Sequence, residues 1–328
     1  MTNLQFQGSL DVSSYKTLSD RDHVLLRPDM YIGPVDRIPR REFCFSPTEM
    51  TITEKDVQHA EGQGQTFIEV IGNAADNIQR SRDYGIDPGI IETMITADWV
   101  VVKNYGISIP IERNSDSLWI PYTIFGMFRS GSNYDDSKVR LWIGKNGVGA
   151  KATCTYSKIF KVECTDPSRG LKYVQTWYDN MGSYSEPEIT SYSGKGYTQI
   201  SYSLDFPRFG VTSFDQEALE IYGAHCVGVS YTCNVPVIFN GKTIHVKNII
   251  EYANMFFKIN KSSAITYIDP KGAYEICLVD TPDTSICKSF VNGITTSKGG
   301  VHVDAAYKTM VDSIKEYLGN AIKGITIT

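Results

Sequence analysis

Several common chemistries are missing from this chain. Its seven cysteines, Cys44, Cys154, Cys164, Cys226, Cys233, Cys277 and Cys287, form no CxxC pair, and its five histidines form no HExxH. A zinc site is therefore not expected, and odd, scattered thiols suit a reducing compartment. No apolar run is long enough to span a bilayer, and no secretory signal opens the chain. Positive charge is not in excess: 32 Lys and Arg stand against 37 Asp and Glu, a net charge of −5. A surface built to grip nucleic-acid phosphates is usually basic. That balance disfavours a structural DNA-binding protein and leaves any such contact to local patches or to other parts of a larger assembly. Internal repeats and low-complexity segments are also lacking.

What is present describes a globular protein. The 328 residues are 41% hydrophobic and 21% charged, enough for a sizeable core and, as a prior, two domains. A helix is expected from Ser19, which can cap it, to Arg27-Pro28, because the residue before proline avoids helical angles. Residues 34–64, with Pro34, Pro39, Pro47, Gly62 and Gly64, read as irregular. Strands are expected over 90–96, 99–103, 159–164, 172–178, 198–204, 236–240, 274–280 and 289–294. Further helices are expected over 214–229 and 305–321.

The stretch Thr66 to Arg80, TFIEVIGNAADNIQR, is the first with chemistry in it. On a helix its residues step by roughly 100° each. Phe67, Val70, Ile71, Ala74 and Ile78 fall on one face, while Glu69, Asn73, Asp76 and Arg80 gather on the other with Asn77 at its margin. A carboxylate and a carboxamide one turn apart point the same way. The first suits a general base, and the second is a hard oxygen ligand for Mg²⁺. Read alone, the same face is also what a solvated helix presents.

Gly144-Lys145-Asn146-Gly147-Val148-Gly149-Ala150-Lys151 is the second such stretch. Its glycines let backbone amides approach a ligand, and amides at a helix start form a nest for phosphate oxygens. Lys151 adds a point charge. The spacing is not that of GxxxxGK[ST], so the ordinary P-loop class is disfavoured. Upstream, Ser132 and Asn133 can donate to phosphate or ribose, and Asn104 ends a strand with a carboxamide able to pair with an adenine edge. Glycine-rich loops and strand-ending asparagines are also ordinary turn features.

In this order these residues resemble the ATP-binding fold shared by gyrase, large heat-shock chaperones, sensor histidine kinases and mismatch-repair ATPases. YKTLSDRDHVLLRPDMYIG, NAADN, IFG with SNYDD, KNGVGAK, QTWYDNMG and VNGITTSKGGVHVD resemble, more narrowly, the ATPase region of eukaryotic-type or large-virus type IIA DNA topoisomerases. The resemblance runs from Tyr15 to Asp304. It implies an α+β chain: a Bergerat-type ATPase α/β sandwich over 1–225 with an N-terminal strap, then a partial transducer domain of ribosomal-protein-S5-like βαβ type over 226–328. By the same resemblance Glu69 is the general base and Asn73 coordinates Mg²⁺. Asn104 contacts adenine, Ser132 and Asn133 hold ribose and phosphate, and Gly144 to Lys151 wraps the triphosphate of ATP. It further implies a homodimer closed by ATP, DNA as the partner of the complete enzyme, and a nuclear, cytoplasmic or viral-replication setting. The family's Gln-Thr-Lys loop, its acidic metal-binding domain and its cleavage-tyrosine domain are not expected within these residues.

Three positions depart from the family's pattern: Gly106-Ile107-Ser108 replaces Gly-Arg-Gly, Ile68 stands where an acidic neighbour of the base is usual, and Ile143-Gly144 replaces paired glycines. Because Glu69 is kept, hydrolysis is expected to survive. The rival expectations are a nucleotide-binding clamp without hydrolysis and another ATPase of the same superfamily.

Overall fold

The computed structural model describes residues 17–128, 130, 147–257, 264–281, 286–291, 293–296 and 299–318. In chain order its first half contains helix α1 (Asp20–Leu26), strands β1 (Ile38–Ser46) and β2 (Thr51–His59), helix α2 (Glu61–Asp83), strands β3 (Ile91–Ile95) and β4 (Val100–Tyr105), and helices α3 (Ile120–Gly126) and α4 (Gly149–Thr155). Strands β5 (Ser157–Asp166), β6 (Leu171–Tyr178), β7 (Ser183–Tyr184), β8 (Glu188–Ser191) and β9 (Tyr197–Leu204) follow, then helix α5 (Gln216–Cys233) and strands β10 (Val237–Phe239) and β11 (Lys242–Ile244). The last elements are α6 (Ile249–Asn254), β12 (Ala264–Ile268), β13 (Glu275–Val279), β14 (Phe290–Val291), β15 (Ile294–Thr295) and α7 (Val301–Leu318).

Nine strands form one mixed sheet in the order β11-β10-β3-β4-β9-β5-β6-β7, with β8 also pairing β6. Among the described residues only the β10–β3 pair of this sheet is parallel. Side chains alternate as period 2 requires. Val100, Val102 and Asn104 of β4 point inward with Phe160 and Val162 of β5 and Ile200 and Tyr202 of β9, all buried. The inward face is covered by α2, α4 and α5. Helix α2 buries the apolar face read from its sequence: Phe67, Val70, Ile71, Ala74 and Ile78 are all at most 2% exposed. Phe67 stacks on Tyr222 of α5 with ring centroids 4.5 Å apart.

Helix starts follow local chemistry. Ser19 Oγ accepts from Asp22 N at the head of α1, and Asp215 accepts from Ala218 N at the head of α5. Helix α2 starts without a side-chain cap; the carbonyl of Pro34 accepts from Gly62 N instead.

Residues 34–64, read as irregular, are different. They hold the β1–β2 hairpin, paired in continuous register from Ile38–His59 to Ser46–Thr51, and the first turn of α2. Pro39 is tolerated because it sits second in a strand with a neighbour on one side only. The hairpin is held by few apolar residues, Cys44, Phe45, Ile52 and Val57, which pack toward α5. Gly223 of α5 makes room for Phe45: a β-carbon there would stand 2.8 Å from its ring.

The boundary expected at 225/226 falls inside α5. Cys226, Val227 and Val229 belong to the same buried core as Ile221 and Tyr222, and that core continues to Val246, Tyr252 and Met255. Beyond it the short β12–β13 and β14–β15 hairpins and α7 carry more exposed apolar side chains, Ile265, Ile268 and Val301 among them. The strand expected over 289–294 is reduced to the two-residue β14, and α7 begins at Val301 rather than Ala305.

Candidate nucleotide site

Helix α2 is the floor on which the candidate residues assemble. At its first half, Glu69 faces the start of α4. A β-carbon added to Gly149 would stand 1.8 Å from Glu69 Oε2 and 2.7 Å from its Cδ, so the glycine backbone lies directly against the carboxylate. Thr153 ties the two helices, its hydroxyl donating to the Thr66 carbonyl at 3.1 Å. Glu69 Oε1 accepts from Gln65 Nε2 at 2.7 Å. Burial raises the Glu69 carboxyl above the ordinary value, the Gln65 hydrogen bond opposes that, and the nearby Asp76 adds to it.

Asn73, one turn on, is part-buried. Its neighbours on the same face take other work. Asn77 Nδ2 donates to the Ile107 carbonyl at 3.0 Å, and Ser81 Oγ accepts from Ile107 N at 2.8 Å while donating to the Asn77 carbonyl. These contacts dock the turn after β4, which starts at Gly106 with φ +102°. That glycine is required twice over: the backbone is left-handed, and a β-carbon would meet Ser81 Oγ at 2.2 Å. Asn104, at the end of β4, is 7% exposed, with its amide nitrogen 3.3 Å from the Tyr105 carbonyl. Ser81→Ala is expected to lower stability by about 1–2 kcal/mol, since it removes a donor and leaves the Ile107 amide without its acceptor; urea unfolding measures this.

Lys151 does not stand as a free cation. It is 2% exposed, and its ammonium donates to the Ser130 carbonyl, to Ser130 Oγ at 3.1 Å and to the Gly147 carbonyl at 2.5 Å. Ser130 in turn donates to the carbonyls of Met127, at 2.6 Å, and Thr123. One buried ammonium therefore joins the segment after α3 to the segment before α4. Burial lowers it to about 8 from the ordinary 10.5. The unfolded chain then binds more protons than the folded one between those values, so the cost of burying this charge is full below pH 8 and relieved as pH rises toward 10.5. Unfolding at pH 7.5 and pH 9.5, read by urea titration, is expected to show stability rising in the unaltered chain relative to Lys151→Met.

The structure thus brings Glu69 and Gly149 together, sets Val148 and Ala150 beside them at the start of α4, and links α2 to the turn that follows Asn104. Ser132, Asn133, Gly144, Lys145 and Asn146 lie outside the described residues, while Gly147, with φ +60°, opens the described part of the glycine-rich stretch. Gln65, Asn77, Ser81 and Ser130 were given no role from the sequence, Asn77 being noted only at the margin of the polar face. The first two were within reach, because Gln65-Glu69-Asn73-Asn77 is one i, i+4 ladder. Ser130 carries no local signal; its role comes from a lysine far along the chain. No group of three or more His, Cys, Asp or Glu side chains suited to a metal occurs among the described residues.

A mixed sheet covered on one face by helices, with a glutamate on the central helix set against a glycine at the start of another, is an α/β sandwich of the kind the sequence resemblance implies. Comparison with solved structures agrees. The chain matches the ATPase region of Saccharomyces cerevisiae topoisomerase II with a TM-score of 0.86 and 32% identity, over 94% of this chain and 81% of that one. It matches the ATPase and transducer domains of DNA topoisomerase II from Balamuthia mandrillaris with a TM-score of 0.85 and 30% identity, over 94% and 80%. Among curated sequences, DNA topoisomerase 2 of Invertebrate iridescent virus 6 is 36% identical over 326 residues, covering 94% of this chain and 28% of the relative. DNA topoisomerase 2 of Saccharomyces cerevisiae is 32% identical over 327 residues, covering 93% and 22%. No family model matches the chain. The chain belongs to the type II DNA topoisomerase family and corresponds to its ATPase region. It spans under a third of the length of these curated relatives.

Proposed function

We propose that this chain binds ATP with Mg²⁺ and hydrolyses it. The observation that carries this reading is the seating of the Glu69 carboxylate against Gly149 at the start of α4. Phosphoryl transfer to water needs positioning and charge neutralisation more than covalent chemistry. Glu69 orients the water and takes its proton, and its other oxygen is held by Gln65. Asn104 receives the adenine edge at the end of β4. The amides of Gly147 to Ala150 receive phosphate oxygens, and the sequence resemblance gives Ser132, Asn133 and Gly144 to Asn146 a share in holding ribose and phosphate. The donor set fits Mg²⁺: Asn73 offers one hard carboxamide oxygen on the Glu69 face, and Mg²⁺ is ordinarily held by one or two protein oxygens together with phosphates and water. Bound there, Mg²⁺ supplies neutralisation of charge on the phosphates.

In a longer topoisomerase polypeptide or assembly, this cycle would close a homodimer, with residues 1–35 as a strap, around DNA for double-strand passage. The first domain in this reading extends through Phe257, past the middle of α5, and a transducer-type unit follows it. An intracellular site, nuclear, cytoplasmic or at a viral replication centre, goes with that role. Among the described residues no helix is long and apolar enough to cross a membrane.

A second reading, a nucleotide clamp that does not hydrolyse, is favoured by one observation. Lys151 is committed to the Ser130 and Gly147 carbonyls rather than to an open pocket. Separate measurement of ATP binding and phosphate release discriminates the two: binding with turnover supports the ATPase, and binding with none supports the clamp.

A further inference from the structure

A half-buried general base has to be kept charged and held in one rotamer. Among the described residues, little around Glu69 does either. The residue before it, Ile68, carries no polar group. Asp76, on the same helix, disfavours its ionised form, as does burial. From α4 it meets the Gly149 backbone, and the one cation there, Lys151, is spent on Ser130 and Gly147. Among the described residues only Gln65 donates to the Glu69 side chain, from one turn earlier on α2 and at 2.7 Å. The two carboxylate oxygens are therefore distinguished: Oε1 is held by Gln65, and Oε2 lies at Gly149.

We propose that Gln65 is the positioning residue for Glu69, fixing which oxygen faces α4 and holding the carboxylate in its charged form. The inference rests on the ATPase reading above. A hydrogen bond to the ionised form lowers a carboxyl's proton affinity, and a like charge at the same place raises it. Gln65→Leu removes the donor at similar size. Gln65→Glu puts a carboxyl in its place, and Gln65→Lys restores a donor with a positive charge.

The test is a carboxyl-carbon NMR titration of the full chain labelled at its glutamate side chains. The Glu69 signal is identified as the one lost in Glu69→Gln. The midpoint is expected to rise by about one pH unit in Gln65→Leu, to rise further in Gln65→Glu, and to fall below that of the unaltered chain in Gln65→Lys. The acid limb of kcat for ATP is expected to move in the same order, while the affinity for a nonhydrolysable ATP analogue stays within about 3-fold, because uniform binding is untouched. Midpoints that coincide in all variants would overturn the proposal. Midpoints that shift in order, with a turnover profile that ignores them, would leave Gln65 holding the charge and would remove Glu69 as the base.

Discussion

Glu69→Gln abolishes most ATP turnover, by about 10²–10⁴-fold, the contribution of a positioned general base. Glutamine keeps the shape of the side chain and can still meet Gln65, so the helix and its packing are retained. It cannot accept a proton from water. Affinity for ATP is expected to remain within a few-fold of the unaltered chain, since the carboxylate acts in the transition state rather than in binding. The pH profile gives a second check. The base must be ionised, and burial places its carboxyl above the ordinary 4.5. Turnover in the unaltered chain is therefore lost on acidification through a value above 4.5, sooner than an exposed glutamate would allow. Steady-state phosphate release across pH, paired with analogue binding, measures both.

Gly149→Ala is expected to lower turnover by about 100-fold while the chain still folds. Alanine suits a helix better than glycine, and Gly149 has no positive φ, so the backbone has no objection. The objection is steric. The new methyl would stand 1.8 Å from Glu69 Oε2, and either the carboxylate or the start of α4 has to move. A displacement of about 1 Å at a reacting group costs on the order of 10²-fold. The global cost is expected near 1–3 kcal/mol, as for other overpacked sites. The double variant with Glu69→Gln is expected to be no slower than Glu69→Gln alone, because both act on the same group. Additive losses would show that Gly149 serves something other than the seat of Glu69.

Much of this was legible in the sequence for a physical reason. Helix α2 carries a strong period, with Phe67, Val70, Ile71, Ala74 and Ile78 on one side, and those positions are buried. The strands of the main sheet alternate cleanly because one face meets the helices and the other meets water. The β1–β2 hairpin was not legible. TITEKDVQH buries only Ile52, Val57 and His59, and the prolines around it speak for irregular chain. What holds it is α5, far along the sequence. The boundary expected at 225/226 falls within α5 for a related reason: β10 returns to pair in parallel with β3, and no local signal announces such a long-range partner. Lys151 shows the limit most plainly. A lysine after a glycine-rich loop reads as a phosphate ligand, yet its ammonium is buried among carbonyls brought there by the chain between α3 and α4. Glu69 was chosen for its chemistry, and the sequence did not show that a glycine of α4 would lie against it.

The most direct measurement is a crystal structure of this chain with Mg²⁺ and a nonhydrolysable ATP analogue. The terminal phosphate is expected between Gly149 and a water held by Glu69, with the metal on Asn73 and the adenine at Asn104. A nucleotide bound away from α2, or a metal held without Asn73 while Glu69 touches no water, would contradict the account.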